Sequence, residues 1–551
     1  MNEHEVAQQP PGVAQPARRV RSSHIWIATT LLGLGCSNSG GAPAYDGTLV
    51  RPTDAAASSC AEDCAAEALV CSLGRCTSMA CATAEANNNS AVGCLFYTLQ
   101  ADNVAADEAA ETTFLIANSG PNAASVQVEL AMPSAGGNLW TAQGAAQVNP
   151  GAAGSLPITG KQVTASGLNQ GGALRISSNQ PVSVAEVESD ALTQPATSSG
   201  GTVLLPLQAL DDDYRVVTYP QAATADVLDV VGSRGGAGRV MIVGTQASTS
   251  LQIQAAHAIS VDAGGLAPQA LSANDVLSFQ IGDGDVVQIY SDGEGTDLSG
   301  TYVSSDAPLA VFAGNISTTY GSSTTGINSA DMAHEQMPPI KSWSTSYVAP
   351  ALTPEASLGC DSFFGPTGGS IWRVLASANA TQITLSGPGV ATPSPFPPMN
   401  AGDVQTLIAT GSFTVSATAP ILVTQGIDCE PSLSLAVGVD TGALPTSVAF
   451  AVPPSFDLQL VIVRPQGTGA PIMLDSSPIP SVAFTSAGGM FQVATVPLPA
   501  CMPATGTAPC FHQLVGPGGI GMTLRGMDVL SSFALTYPSL SLCGFADACP
   551  N

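Results

Sequence analysis

Three stretches of the chain carry the same pattern of apolar and polar positions. Around Ser178-Asn179-Gln180-Pro181, Ser305-Asp306-Ala307-Pro308 and Ala417-Thr418-Ala419-Pro420, apolar residues alternate with polar or small ones. That period of two marks half-buried strands. Counted from each proline, Ile176, Val303 and Val415 stand five residues before it. Val182, Leu309 and Ile421 stand one after it, and Val184, Val311 and Val423 three after it. The pattern predicts a strand pair meeting at a corner. Proline at the first residue of the returning strand removes a donor where the ladder has not begun. The chain therefore reads as a repeat of β modules.

The same spacing extends outward. Each module opens on an aromatic or β-branched strand: Leu95-Phe96-Tyr97, Tyr214 to Val217, Tyr347-Val348 and Val448-Ala449-Phe450. A hairpin follows at Phe114 to Leu130, Val240 to Ile253, Trp372 to Leu385 and Leu460 to Leu474, with Asn, Gly, Ser or Pro at the tips. The fourth module has no recognisable proline corner. The proline spacings, 181 to 308 and 308 to 420, are domain-sized and too long for a solenoid. Gly, Ser, Thr, Ala, Val and Pro dominate, which favours an all-β chain of short strands and turns. The expected fold is about four tandem β-sandwich-like units after a small disulfide module. Propeller-like closure is the alternative.

The N-terminal region differs in kind. Arg18, Arg19 and Arg21 precede an uncharged apolar run from Ile25 to Gly35, which fits a signal peptide and is shorter than a membrane span. Leu34-Gly35-Cys36 resembles the lipobox of bacterial lipoproteins, which makes Cys36 the candidate for lipidation; an ordinary signal peptide with a free or paired Cys36 is the alternative. A Ser, Gly, Ala, Pro and Thr tether fills 36–59. Six cysteines then crowd into one short segment: Cys60, Cys64, Cys71, Cys76, Cys81 and Cys94. Little else there could form a core, so three disulfides are expected to hold it. Zinc is disfavoured, because no Cys-x-x-Cys pair and no nearby His accompany them.

The thirteen cysteines are odd in number, and setting Cys36 aside leaves twelve that can pair. Beyond the first six, Cys360 with Cys429, Cys501 with Cys510 and Cys543 with Cys549 are the expected pairs. The domain reading is signal peptide 1–35, tether 36–59, Cys-rich module 60–94 and β units at 95–206, 207–340, 341–445 and 446–540. A disulfide tail occupies 541–551.

Charge excludes one class of partner. Fourteen Lys or Arg face 41 Asp or Glu, a net charge of −27. Such a surface repels phosphate backbones, so nucleic acid is ruled out as a partner.

Between the second and third units runs Asp331-Met332-Ala333-His334-Glu335-Gln336-Met337-Pro338-Pro339-Ile340-Lys341-Ser342-Trp343, continuing to Tyr347-Val348-Ala349-Pro350. Together with Leu204-Leu205-Pro206 to Tyr214-Arg215-Val216 and Ile371 to Ala376, this run resembles the N-terminal domain family of the IgGFc-binding proteins, over roughly residues 94–540. His334, Glu335, Gln336, Pro338, Pro339, Trp343 and Tyr347 carry the likeness. The resemblance implies a secreted, surface-exposed β-rich module. Its animal members are named for binding the Fc part of IgG and are associated with mucus. It brings no catalytic residues with it. Bacterial relatives often have cysteines in the loop before the His-Glu-Gln motif, and here Gly314 to His334 contains none.

Enzyme signatures are weak. After cleavage His257, His334 and His512 remain. His334-Glu335 is followed by Pro338 where a zincin helix needs its second His, and proline forbids that helix. His334 is instead expected to bond locally and fix the inter-unit connection. Cys429 has acidic neighbours, which do not activate a thiolate. Gly516-Pro517-Gly518-Gly519-Ile520-Gly521 matches a dinucleotide fingerprint but leads into an alternating strand, so it reads as a loop. Carboxylates at Asp283, Asp285, Asp292, Glu294 and Asp297 offer oxygens to Ca²⁺, yet Asp-Gly pairs also make hairpin turns.

These readings converge on a lipid-anchored, disulfide-stapled protein of the outer membrane surface of a Gram-negative bacterium. It is expected to touch membrane only through the anchor and to use no cofactor and no catalytic residue. It would bind an extracellular protein or glycan as an adhesion or recognition module. The competing readings are a polysaccharide-acting enzyme built on Asp211-Asp212-Asp213 or the 283–297 carboxylates, and a structural envelope protein. Aromatics make up 5% of the chain, fewer than a glycosidase cleft calls for.

Overall fold

The computed structural model describes residues 60–537. Outside that description lie 1–59, 61–63, 68, 88–89, 104–110, 189–198, 223–235, 266, 319–330, 352–369, 391–395, 410, 428–431, 441–443, 455, 499–507, 528–531 and 538–551. Cys36, Cys360, Cys429, Cys501, Cys543 and Cys549 fall there, with the signal peptide and the C-terminal tail.

The repeated corner is not a junction between two strands. Gly167–Val187, Tyr302–Thr318 and Phe413–Ile427 are each one long strand. Each bends at its proline and passes from one β layer to the other. Residues 173–178 pair with the opening strand Val92–Ala101 and with Ala124–Ser134, whereas 183–187 pair with Glu111–Asn118. The second strand repeats this division. Its first half pairs with Asp211–Arg215 and Thr249–Gln254, its second half with Gly238–Gly244 and Asp331–Gln336. The third does likewise with Ser344–Ala349 and Ile383–Ser386, then with Ser370–Ala376 and Leu433–Leu435. Each unit is thus a two-layer sandwich whose layers share a strand.

The chemistry of the bend explains its sequence. Proline sits in the few residues that neither ladder uses, so its missing N–H costs no ladder bond. The residue two before it accepts a backbone N–H from the neighbouring strand region in all three units. Asn179 Oδ1 accepts from Ser125, Asp306 Oδ1 from Ser250 and Thr418 Oγ1 from Gln382, at 2.8, 2.8 and 2.9 Å. Ser178 and Ser305 donate to the carbonyls of Gln180 and Ala307, both at 2.6 Å. In the third unit Ala417 cannot do so. The nine apolar positions counted from the prolines are all buried.

A tyrosine braces two of the bends. Tyr214 donates to the Leu309 carbonyl at 2.6 Å and accepts from the Asp211 N–H. Tyr347 donates to the Ile421 carbonyl at 2.7 Å and accepts from the Ser344 N–H. Phe96 holds the matching register in the first unit, opposite Ile176, and has no hydroxyl.

The fourth unit breaks the long strand in two. Cys510–Val515 pairs with Ser447–Val452, and Gly521–Met527 pairs with Asp457–Pro465 and Ser532–Tyr537. The glycine-rich 516–520 segment connects them as a loop. That replaces the proline bend and explains why no corner could be read there.

The strand that closes each unit lies against the others. Gly201–Val203 touches Asp331–Gln336, which touches Leu433–Leu435, which touches Ser532–Tyr537, which returns to Gly201–Val203. Among the described residues no ladder joins these four, so the pairings make several sheets and no closed barrel. Ladder continuity between units occurs where Asp285–Ser291 pairs with the start of Gly167–Val187. Apolar side chains fill the seams. The first and fourth units share a core around Val187, Val203, Phe450 and Leu535, and the second and third one around Val311, Trp343 and Leu422.

Ahead of the sandwiches stands the Cys-rich module, with the helix Met79–Glu85 capped by Ser78. Its bridges are Cys60–Cys71, Cys64–Cys76 and Cys81–Cys94. The last ties the helix to the first sandwich. Paired sulfurs are not thiolates, so these six cysteines do not ligate zinc. Cys510 is also disulfide-bonded; its expected partner Cys501 lies outside the described residues.

Candidate functional site

The His-Glu-Gln motif lies on Asp331–Gln336, the strand that closes the second unit, and every residue of that strand is buried. Gly314 faces His334 across the ladder, and a Cβ there would stand 2.0 Å from the Ala333 carbonyl oxygen. Glycine is what lets the motif strand approach.

Each polar side chain of the motif reaches back into the first unit. His334 Nε2 lies 3.1 Å from Glu186 Oε1, on the bent strand of that unit. Glu335 accepts from the Thr202 hydroxyl at 2.7 Å, and the same hydroxyl accepts from the Gln336 N–H at 2.9 Å. Gln336 Oε1 accepts from the Leu205 N–H at 2.7 Å, and Asp331 accepts from Ser199 N–H at 2.7 Å. The contacts of His334 thus lie 148 residues away in sequence and are not local. Phe312 stacks on its ring at 5.4 Å.

Glu188, two residues beyond Glu186, completes the group. It accepts from the Ala101 N–H at 2.9 Å and from the Thr112 hydroxyl, and Glu186 accepts from the Thr98 hydroxyl. Burial pushes Glu186 up to about 7 and Glu188 up to about 8, the latter helped by its carboxylate neighbour. Burial also pulls His334 down to about 3 and holds Glu335 well above the usual carboxylate range. At neutral pH the imidazole is therefore neutral, and burial favours the protonated form of Glu335.

Downstream, the motif becomes a turn. The short 3₁₀ segment Ile340–Ser342 follows Pro339, and Trp343 donates its indole N–H to the Pro338 carbonyl at 3.0 Å. An equivalent 3₁₀ segment, Leu207–Ala209, follows Pro206 after the first closing strand.

The other candidate residues do not converge. Asp211 pairs with Lys341 at 3.3 Å, and Asp213 accepts from the Tyr302 hydroxyl. Burial, with Asp211 and Asp213 on either side, pushes Asp212 up to about 6. Asp285 accepts from Asn138, Gly171 and Gly282. Asp283 accepts from the Trp140 indole at 2.8 Å, and Asp297 pairs with Arg373 at 2.5 Å. Asp211, Asp213 and Asp297 are each held by a different partner, whereas Asp283 and Asp285 lie on one turn. His257 bonds the Asp297 carbonyl at 2.8 Å, and His512 bonds Asp475 at 2.6 Å.

Among the described residues, two of the open clefts at the first unit have polar walls. One of 570 Å³ separates the Cys-rich module from the outer strands and is lined by Arg75, Ser78, Gln127, Gln147, Ser177 and Asn179 among others. Another of 430 Å³ lies between the 133–138 turn and the 282–285 turn of the second unit. Ser134, Asn138, Gln170, Asp283 and Asp285 supply its polar wall. Behind it Arg175 stacks on Trp140 at 4.3 Å.

Sequence reasoning passed over Glu186, Glu188, Thr98, Thr112 and Thr202. A signal existed for two of them, since Val184-Ala185-Glu186-Val187-Glu188 puts carboxylates on one face of a strand otherwise made of core residues.

Comparison with known proteins follows the same strands. The family described as IgGFc binding protein matches residues 200–526. A human protein named IgGFc-binding protein is 28% identical over 155 residues, which is 28% of this chain and 2% of that protein, so the chain corresponds to a small part of its relative. A solved arabinofuranosyltransferase, AftD from Mycobacteria, is 11% identical, with 74% of this chain and 37% of that one covered, at a TM-score of 0.08 that carries no argument about fold. The family match spans the second and third units entirely, takes in the His-Glu-Gln strand, and runs through most of the fourth: this chain belongs to the IgGFc binding protein family.

Proposed function

We propose that the chain is a non-enzymatic binding module, held at the outer membrane surface through lipid on Cys36, whose ligand is a glycoprotein or a glycan. The observation that carries this reading is where the motif's polar groups are used. His334, Glu335 and Gln336 are buried and committed to contacts between two sandwiches. The open clefts, by contrast, are lined by hydroxyl, amide and carboxylate groups held on strands and their turns. Rigid scaffolds presenting polar loops suit recognition of a hydroxylated ligand. The name of the human relative adds the Fc part of IgG to the ligands worth testing.

The experiment is a glycan and glycoprotein array, with IgG Fc included, probed with the secreted chain. Saturable binding to a restricted set, weakened about tenfold (~1.4 kcal/mol) by Gln170→Ala with Asp283→Asn, is expected. No signal on the array, or release of product from a polysaccharide panel, contradicts the reading. Palmitate labelling that disappears in Cys36→Ser, with protease sensitivity on intact cells, tests anchoring and placement.

A further inference from the structure

Away from both clefts, one side-chain cluster has the make-up of a metal site. Glu186 comes from the first bent strand, Glu188 from the residue just past its end, and His334 from the strand that closes the second unit, all three buried. Each offers one ligand atom, and the three atoms lie within 4.8 Å of one another. Glu186 Oε1 and His334 Nε2 are 3.1 Å apart. Two atoms each bound ~2.1 Å from a common ion stand roughly 3.0–3.5 Å apart at octahedral or tetrahedral angles. That pair is already at the spacing of bound ligands.

The surroundings resemble an outer shell. Thr98 donates to Glu186, while Thr112 and the Ala101 N–H donate to Glu188, each leaving a lone pair on the carboxylate for an ion. Such donors behind the ligands orient them. Phe312 fixes the imidazole plane, with the rings 6° from parallel. Charge points the same way. Arg239, buried beside the cluster, faces Asp102 as well as both glutamates. When a bound ion displaces their protons, the two glutamates carry two negative charges, which one divalent cation balances. Mixed imidazole and carboxylate donors suit a transition ion, whereas Ca²⁺ takes oxygen ligands.

We propose that Glu186, Glu188 and His334 bind one divalent transition-metal ion, Zn²⁺ or Mn²⁺, as a buried clasp between the first and second sandwiches. The ion joins strands that no ladder connects, and it plays no part in ligand recognition.

The full chain, produced in Zn²⁺- or Mn²⁺-supplemented medium and dialysed against metal-free buffer, tests this by metal analysis. About one equivalent of ion per chain is expected, with a Tm above that of protein produced in chelated medium. Glu186→Gln with Glu188→Gln is expected to retain less than about a tenth of an equivalent while keeping its strand circular dichroism. Should the double variant not fold, wild-type chain grown with Co²⁺ carries the test. Visible absorption of a protein-bound ion is expected, and its absence counts against the site. Metal-free wild-type protein from every medium, or equal retention by a folded double variant, overturns the proposal. The three side chains then share protons in place of an ion.

Discussion

Two seams in this molecule solve the same problem with different chemistry. Between the third and fourth units, Val348, Val437 and Val439 meet Val461, Val463, Ala487 and Val493 in an apolar cluster. Between the first and second, which also share an apolar core around Phe312 and Met332, the motif strand meets the first unit through polar bonds from Glu335, Gln336 and His334 to Thr202 and Glu186. Valines join surfaces by area and tolerate small shifts. Hydrogen-bonded groups in a dry interior accept one arrangement, because an orphaned partner carries its full desolvation penalty. The family motif occupies the polar seam, so its residue types are explained by register between two sandwiches without invoking a ligand.

The comparison sharpens through substitutions that act on one seam. The largest effect is expected from Thr202→Val. It removes the hydroxyl that serves both Glu335 and the Gln336 N–H, at a cost of ~2–3 kcal/mol seen as a lower urea midpoint. A loss below about 0.5 kcal/mol would show that the seam does not depend on these bonds. Val463→Ala in the apolar seam should cost about 2 kcal/mol, the transfer of two methyl groups plus a small cavity, and leave the His334 region unchanged.

pH separates the seams next. In metal-free protein, Glu186 and Glu188 rise from about 4.5 when unfolded to about 7 and about 8 when folded. Their contribution is fully present below pH ~4.5 and is lost as pH rises through the folded values. His334 falls from 6.5 to about 3, so its contribution is present above pH 6.5 and is lost as pH falls toward 3. Urea midpoints from pH 4 to 9 should therefore decline at both ends. Glu186→Gln with Glu188→Gln should flatten the alkaline arm, and Val463→Ala should leave the profile's shape intact. An alkaline arm unchanged in the double glutamine variant would remove these carboxylates from the account.

The smallest effect belongs to the braces. Tyr347→Phe deletes a donor to Ile421 and an acceptor for Ser344, with a loss of about 1 kcal/mol. Phe96 already occupies the matching register in the first unit, so a loss above about 3 kcal/mol would mean that the hydroxyl does more than brace a bend.

Much of the fold was legible in the chain because its signal is local. Alternation around Pro181, Pro308 and Pro420 places Ile176, Val303 and Val415 in the core, and the clustered cysteines announce three bridges. A bend within one strand and a junction between two alternate identically, however. Which strand flanks each half is decided by partners far away in sequence, such as Glu111–Asn118 for residues 183–187. Contacts among closing strands are equally non-local. The polar seam was half legible: His334 and Glu335 stood out by type, but their partners Glu186 and Thr202 lie 148 and 133 residues away. Asp211 to Asp213 looked like a site because acidic residues adjacent in sequence attract notice. In space Asp211 is held by Lys341 and Asp213 by Tyr302.

The central claim is that the His-Glu-Gln strand holds two sandwiches together. Amide hydrogen exchange, compared between wild-type protein and Thr202→Val, reads this directly. The account predicts faster exchange in both 201–203 and 331–336, with Asp457–Pro465 and Phe491–Pro497 of the fourth unit as protected as before. Faster exchange confined to 201–203, with 331–336 unaffected, would contradict it.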